Sequence, residues 1–129
     1  MAVGDDLERA VGVLGPLEGR VMRAVWTGTV GELFVVRDVA AVFPTLAYTT
    51  VMTTLRRLAD KGLLVMTPRS GSKGHVYQAN GGPAEFLAQA SRREATAVIA
   101  RYGTAALAAF VGELQALTPR QRQRLEELR

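Results

Sequence analysis

One stretch limits the folds open to this chain more than any other. From Leu46 to Ala79 it reads LAYTTVMTTLRRLADKGLLVMTPRSGSKGHVYQA. Apolar residues at helical spacing give way at Gly62 to two short runs of β-formers separated by a Gly/Ser/Lys turn. The spacing predicts a helix over about Ala47–Lys61, with Gly62 as its C-terminal cap. It then predicts strands over Leu63–Pro68 and His75–Ala79, joined by a cationic tip at Ser70–Gly74. Tyr48, Val51, Leu55 and Leu58 fall on one side and are expected to face a core. Thr49, Thr50, Thr53, Arg56, Arg57 and Asp60 form the opposite, wet side. A helix with hydroxyls at its start and arginines further along, followed by a basic hairpin, is the pattern of a recognition helix and its wing.

Charge points the same way. The chain carries 16 Lys+Arg against 12 Asp+Glu, a net +4. Between Thr45 and Gly82 stand Arg56, Arg57, Lys61, Arg69 and Lys73 against Asp60 alone, so this segment holds the whole excess. A basic surface on one element is the footprint of phosphate binding. Threonine can hydrogen-bond a base edge and pack its methyl on a thymine methyl, and a helix fits the major groove N-terminus first. Threonine is also a poor helix former, so the cluster at 49, 50, 53 and 54 is costly unless it does something. Base reading is expected of Thr49, Thr50 and Thr53; Arg56 and Arg57 are placed to reach phosphates or a guanine, and Arg69 and Lys73 to track the backbone or enter the adjacent minor groove. The competing reading is a winged helix whose basic wing docks an acidic protein partner.

The flanking segments complete the architecture. Residues 1–13 read as a weakly organised lead-in with a helical turn at Leu7–Val13. Leu14–Trp26 is a helix with Pro16 in its first turn and a stripe of Leu17, Val21, Met22, Val25 and Trp26. Leu33–Val36 reads as a short edge strand and Arg37–Phe43 as a short helix stopped by Pro44. This predicts a winged helix-turn-helix over 14–82, mainly α with a small antiparallel β wing. Beyond Asn80-Gly81-Gly82-Pro83 the pattern is helical to the end. Pro83–Tyr102, Thr104–Leu117 and a last helix capped by Thr118 make a helical dimerisation region over 83–129. Phe86, Leu107, Phe110, Val111, Leu114 and Leu117 are its expected interface, since so short a bundle cannot hide such stripes alone.

Other chemistries are limited by what the chain contains. It has no cysteine and one histidine, His75, so neither thiolate metal sites nor a histidine-dependent triad can be built. Glu126 and Glu127 are adjacent and point to different helix faces. No catalytic residue, metal site or cofactor is expected. No apolar run approaches the roughly 20 residues of a membrane span, and Asp5, Asp6 and Glu8 stand where a signal peptide carries cations. A cytoplasmic location is expected.

The segments LGPLEGRVMRAVW (Leu14–Trp26), VRDVAAVF (Val36–Phe43), AYTTVMTTLRRLADKGLL (Ala47–Leu64) and HVYQA (His75–Ala79) resemble the BlaI/MecI-type penicillinase repressors, a family that includes CopY-like copper repressors. The match to its helix pattern runs through Tyr48, Thr49, Thr50, Val51, Thr53, Leu55, Arg57, Leu58, Lys61, Gly62 and Leu63. The resemblance implies a homodimeric repressor that reads a palindromic operator in double-stranded DNA, one half-site per winged helix. It places Thr49, Thr50 and Thr53 near bases, and Tyr48, Arg57 and the wing on phosphates. CopY-like members carry a cysteine metal motif that this chain lacks. Penicillinase repressors resemble one another in being cut at an Asn-Phe bond of the dimer helix, in circuits with a membrane metalloprotease sensor. The aligned step here is Ala109-Phe110.

Overall fold

The computed structural model describes residues 3–71 and 74–128. Seven helices and two strands follow in order among them: α1 (Val3–Val13), α2 (Pro16–Trp26), α3 (Val36–Val42), α4 (Tyr48–Asp60), β1 (Leu64–Pro68), β2 (His75–Ala79), α5 (Pro83–Tyr102), α6 (Thr104–Gln115) and α7 (Pro119–Glu127). The chain divides into two compact units, one reaching to Leu87 and one beginning at Ala88.

The first unit is a winged helix built on one apolar cluster. Val21 and Met22 from α2, Val39 from α3, and Val51, Leu55 and Leu58 from α4 are all buried, and Leu63, Leu64 and Tyr77 close the cluster from the wing side. Full burial of one such aliphatic side chain stabilises by roughly 1.5–3 kcal/mol. The α4 stripe is therefore enough to fix which side of that helix faces out. Thr54 joins the buried side at 5% exposure, and its hydroxyl donates to the Thr50 carbonyl at 2.8 Å. That bond is why a polar residue is tolerated there.

The N-terminal segment is more ordered than its sequence suggests, and the turn read at Leu7–Val13 is the second half of a longer helix. Val3–Val13 is a helix with Asp5 and Asp6 in its first turn, where acidic side chains favour a helix start. It lies on α2 so closely that a Cβ at Gly19 would come within 2.9 Å of the Val11 carbonyl oxygen. Ala10 is fully buried, and Arg23 makes a two-pronged bond to Glu8 at 2.6 and 2.8 Å. The small residues Ala10 and Gly19 allow the close approach.

The expected edge strand at Leu33–Val36 reduces to a single bridge between Phe34 and Tyr77, because α3 already begins at Val36. That bridge is complete: Phe34 N–H donates to Tyr77 O at 2.9 Å and Tyr77 N–H to Phe34 O at 2.7 Å. β1 and β2 pair antiparallel from Leu64↔Ala79 to Pro68↔His75. β2 is thus flanked on both sides and β1 is the outer strand, the one place where Pro68 does no harm. Tyr77, 2% exposed, stacks on Phe34 at 6.1 Å, and burial pushes its phenol above the usual value.

The segment after β2 is tied down by backbone and side-chain bonds, with Asn80 N donating to Leu63 O at 2.9 Å. Asn80 Nδ2 donates to Gly62 O at 2.9 Å, Trp26 Nε1 to Gly81 O at 3.1 Å, and Gly82 N to the Glu85 carboxylate at 2.7 Å. In the second unit, α5 and α6 are separated by Gly103, with φ +64 and ψ −140. Thr118 caps α7 as its spacing predicts: it accepts from Gln121 N at 3.1 Å while Gln121 Oε1 accepts from Thr118 N at 2.9 Å.

Candidate nucleic-acid interface

The side of α4 turned from the core carries Thr49, Met52, Thr53, Arg56 and Arg57, all exposed. Thr49 and Thr53 are one turn apart with Met52 beside them. This gives two hydroxyls and a thioether at the front of the helix and two guanidiniums behind. Thr50 is half-buried, so less of it is presented than of its neighbours. Arg56 and Arg57 make no ion pair among the described residues.

Two sequence expectations on this helix need correction. Tyr48 does not face the core: it stands 55% exposed at the first position of α4. A first-turn side chain projects past the end of the stripe it seems to belong to, and Leu46 occupies the core margin instead. Lys61, part of the basic count, is held by Glu18 of α2 at 2.8 and 3.0 Å. Its charge is matched within the fold, so the outward positive charge of this helix rests on Arg56 and Arg57.

The wing rises from the base pair Pro68↔His75, and Arg69 N donates to Gly74 O at 2.9 Å to close it. Gly71 and Gly74 both have positive φ, which glycine adopts without strain. Arg69 is exposed. Lys73 lies outside the described residues.

The fold also brings together residues that the sequence keeps apart. Arg37 from the first turn of α3, Tyr48 from the start of α4, and Arg69, Gly74 and His75 from the base of the wing line one cleft with the Val35–Val36 turn. Its volume is about 230 Å³. Arg37 and Met52 escape sequence reading. Met52 is an apolar residue at a helical position, which by itself signals a core. Arg37 gains meaning only when the wing base is folded beside it.

In the second unit α6 carries Leu107, Phe110, Val111 and Leu114 with their side chains exposed, and Leu117 is half-buried. An apolar groove of about 290 Å³ runs between α6 and α7, walled by Val111, Leu114, Leu117 and Leu125. Phe86, grouped with these residues from sequence, is half-buried against the winged-helix core, its ring 6.0 Å from that of Trp26. Ala109 and Phe110 lie inside the continuous helix α6. Among the described residues no helix is long and apolar enough to cross a membrane, and no three His, Asp or Glu side chains group as a metal site would require.

The family model described as Penicillinase repressor matches residues 14–129. Among solved structures the chain is similar to wild-type MarR from E. coli in its apo form, at 16% identity and a TM-score of 0.46 over 98% of this chain and 87% of that one. It is similar also to a mutant E. coli MarR complexed with operator DNA, at 15% identity and a TM-score of 0.47 over 98% and 84% of the two chains. No curated protein gives a significant match.

Proposed function

The chain belongs to the penicillinase repressor family, and from that premise we propose a homodimeric transcriptional repressor that reads a palindromic operator. The observation that carries the DNA-reading half is the outward face of α4, where Thr49 and Thr53 stand ahead of Arg56 and Arg57 on a helix fixed by its buried stripe. In this reading Thr49 and Thr53 contact base edges, with Thr50 behind them. Arg57, Arg69 and Lys73 hold phosphates, and Arg56 reaches a phosphate or a guanine. Residues 14–82 act as the DNA-binding domain and 83–129 as the dimerisation region.

The exposed α6 side chains and the α6–α7 groove support a second copy as the covering partner. A lone monomer rarely leaves so many large apolar residues uncovered along one helix. A dimer also places two recognition helices about one DNA turn apart, or a multiple of it. Two routes to relief of repression stay open in this reading: a cut at Ala109-Phe110 by a membrane metalloprotease sensor, or a small ligand acting on the intact chain. Such a cut requires α6 to unwind locally, since both residues lie within it. No catalytic role and no cofactor are part of this reading, and its place of action is the cytoplasm.

The test is selection of bound sites from a randomised duplex pool, followed by polarisation titrations on selected and random duplexes over a range of salt. A two-fold symmetric site and a steep fall of affinity with salt are expected. No enrichment and a flat salt response would reject DNA reading and favour the wing as a protein-docking element.

A further inference from the structure

The cleft at the foot of the wing lies beside the α4 face but is not explained by it. Its walls come from three elements: Arg37 from α3, Tyr48 from α4, and Arg69, Gly74 and His75 from the wing base. Arg37 and Tyr48 bring side chains that can donate to an anion, and the wall includes no carboxylate residue. The nearest acid in sequence, Asp38, is already engaged, accepting from Val35 N at 2.9 Å. Arg37 is exposed and has no ion-pair partner among the described residues. Arginine suits this task because its planar fork binds two phosphate oxygens at once. The cleft, at about 230 Å³, has room for one phosphoryl group with some of its water.

We infer that this cleft is a phosphate subsite, occupied by a backbone phosphodiester of bound DNA, with Arg37 as its principal ligand. This rests on the DNA reading above and extends the interface from α4 and the wing tip to the first turn of α3. Arg37 binds two non-bridging oxygens through its fork. The Tyr48 hydroxyl donates a third bond. A phosphate carries no sequence information, so the subsite fixes the tilt of the winged helix on the duplex rather than its choice of site.

The experiment compares the full chain with Arg37→Ala and Arg37→Lys by polarisation titration on selected and random duplexes, with thermal melting as a check on folding. Loss of one phosphate contact removes about 0.9 from the slope of log K against log salt, which at 0.1 M is roughly an eightfold loss of affinity. Arg37→Ala should show that loss equally on both duplexes, with unchanged melting. Arg37→Lys, which keeps the charge but not the fork, should restore the salt slope and only part of the affinity. An unchanged slope and affinity, or a loss confined to the selected duplex, would overturn the subsite while leaving the repressor reading intact. Titration with inorganic phosphate, followed by amide NMR shifts, separates the two claims. Should the parent chain bind no duplex, saturable shifts at Gly74 and His75 that vanish in Arg37→Ala would keep the phosphate cleft and reject DNA as its source. Absence of those shifts would reject both.

Discussion

Replacing Gly19 by alanine sets two effects of known sign against each other. In an exposed helix interior the change from glycine to alanine stabilises by about 1 kcal/mol. Here a Cβ would sit 2.9 Å from the Val11 carbonyl oxygen and 3.1 Å from Val11 Cγ1. The first of these is a backbone atom and cannot swing aside, so α1 must move as a body. Overpacking of this kind costs about 1–3 kcal/mol. The net expectation for Gly19→Ala is a destabilisation of about 1 kcal/mol. In a chain beginning at Leu14 the obstacle is gone, and the same substitution should stabilise by about 1 kcal/mol. Urea unfolding followed through Trp26, at the end of α2 within the same unit, measures both. A coupling of about 2 kcal/mol between truncation and substitution is expected. Equal effects of Gly19→Ala in the two chains would show that α1 is not seated on Gly19.

Three further outcomes follow from the interface, the surface ion pair and the helical region. Thr53→Ala should lose about 1–3 kcal/mol of discrimination at one base step, and Arg57→Ala should weaken all duplexes alike with a salt slope smaller by about one, both read by polarisation; equal loss on every sequence from Thr53→Ala would refute base reading. Paired Phe110→Ser and Leu114→Ser substitutions should leave a folded chain that sediments as a monomer and binds operator weakly, whereas an intact dimer would place the interface elsewhere. The Arg23 guanidinium bonded to Glu8 holds that carboxyl below its ordinary 4.5. The small stabilisation from the pair is therefore complete above that pH and is lost on acidification through the lower folded value. The melting difference between the parent and Glu8→Gln should accordingly be constant near neutrality and shrink in acid, and a difference that grows in acid would contradict the pairing.

The sequence was most readable where burial and periodicity coincide. Val51, Leu55 and Leu58 announce α4 because each falls on one stripe and each is buried. Thr118 and Gln121 announce α7 because a capping box is a local device. Helix α1 is legible only in its second half, where Leu7, Ala10 and Val11 fall at helical spacing. Its inward positions are filled by Ala10 and Val11 beside Gly12, and its seat on α2 is a missing side chain at Gly19. That seat on a missing side chain leaves no mark in the hydrophobic pattern of α1 itself. Tyr48 was misplaced because a helix end breaks the period that the middle obeys. Lys61 was counted as outward charge because its partner, Glu18, is 43 residues away in sequence. The cleft around Arg37 is of the same kind, assembled from three separate segments.

The break at Gly103 sets a length scale. Its φ of +64 with ψ of −140 lies in a region of backbone space almost closed to residues with a Cβ. α5 and α6 hold 20 and 12 residues on either side of it. If residue 103 were helical, they would fuse into one rod of roughly 50 Å at 1.5 Å per residue. The absent methyl at this single position therefore decides whether the region is a pair of short levers or one long strut. A chain that acquired alanine there would carry the apolar side chains of α6 on the same rod as α5, with none of them altered.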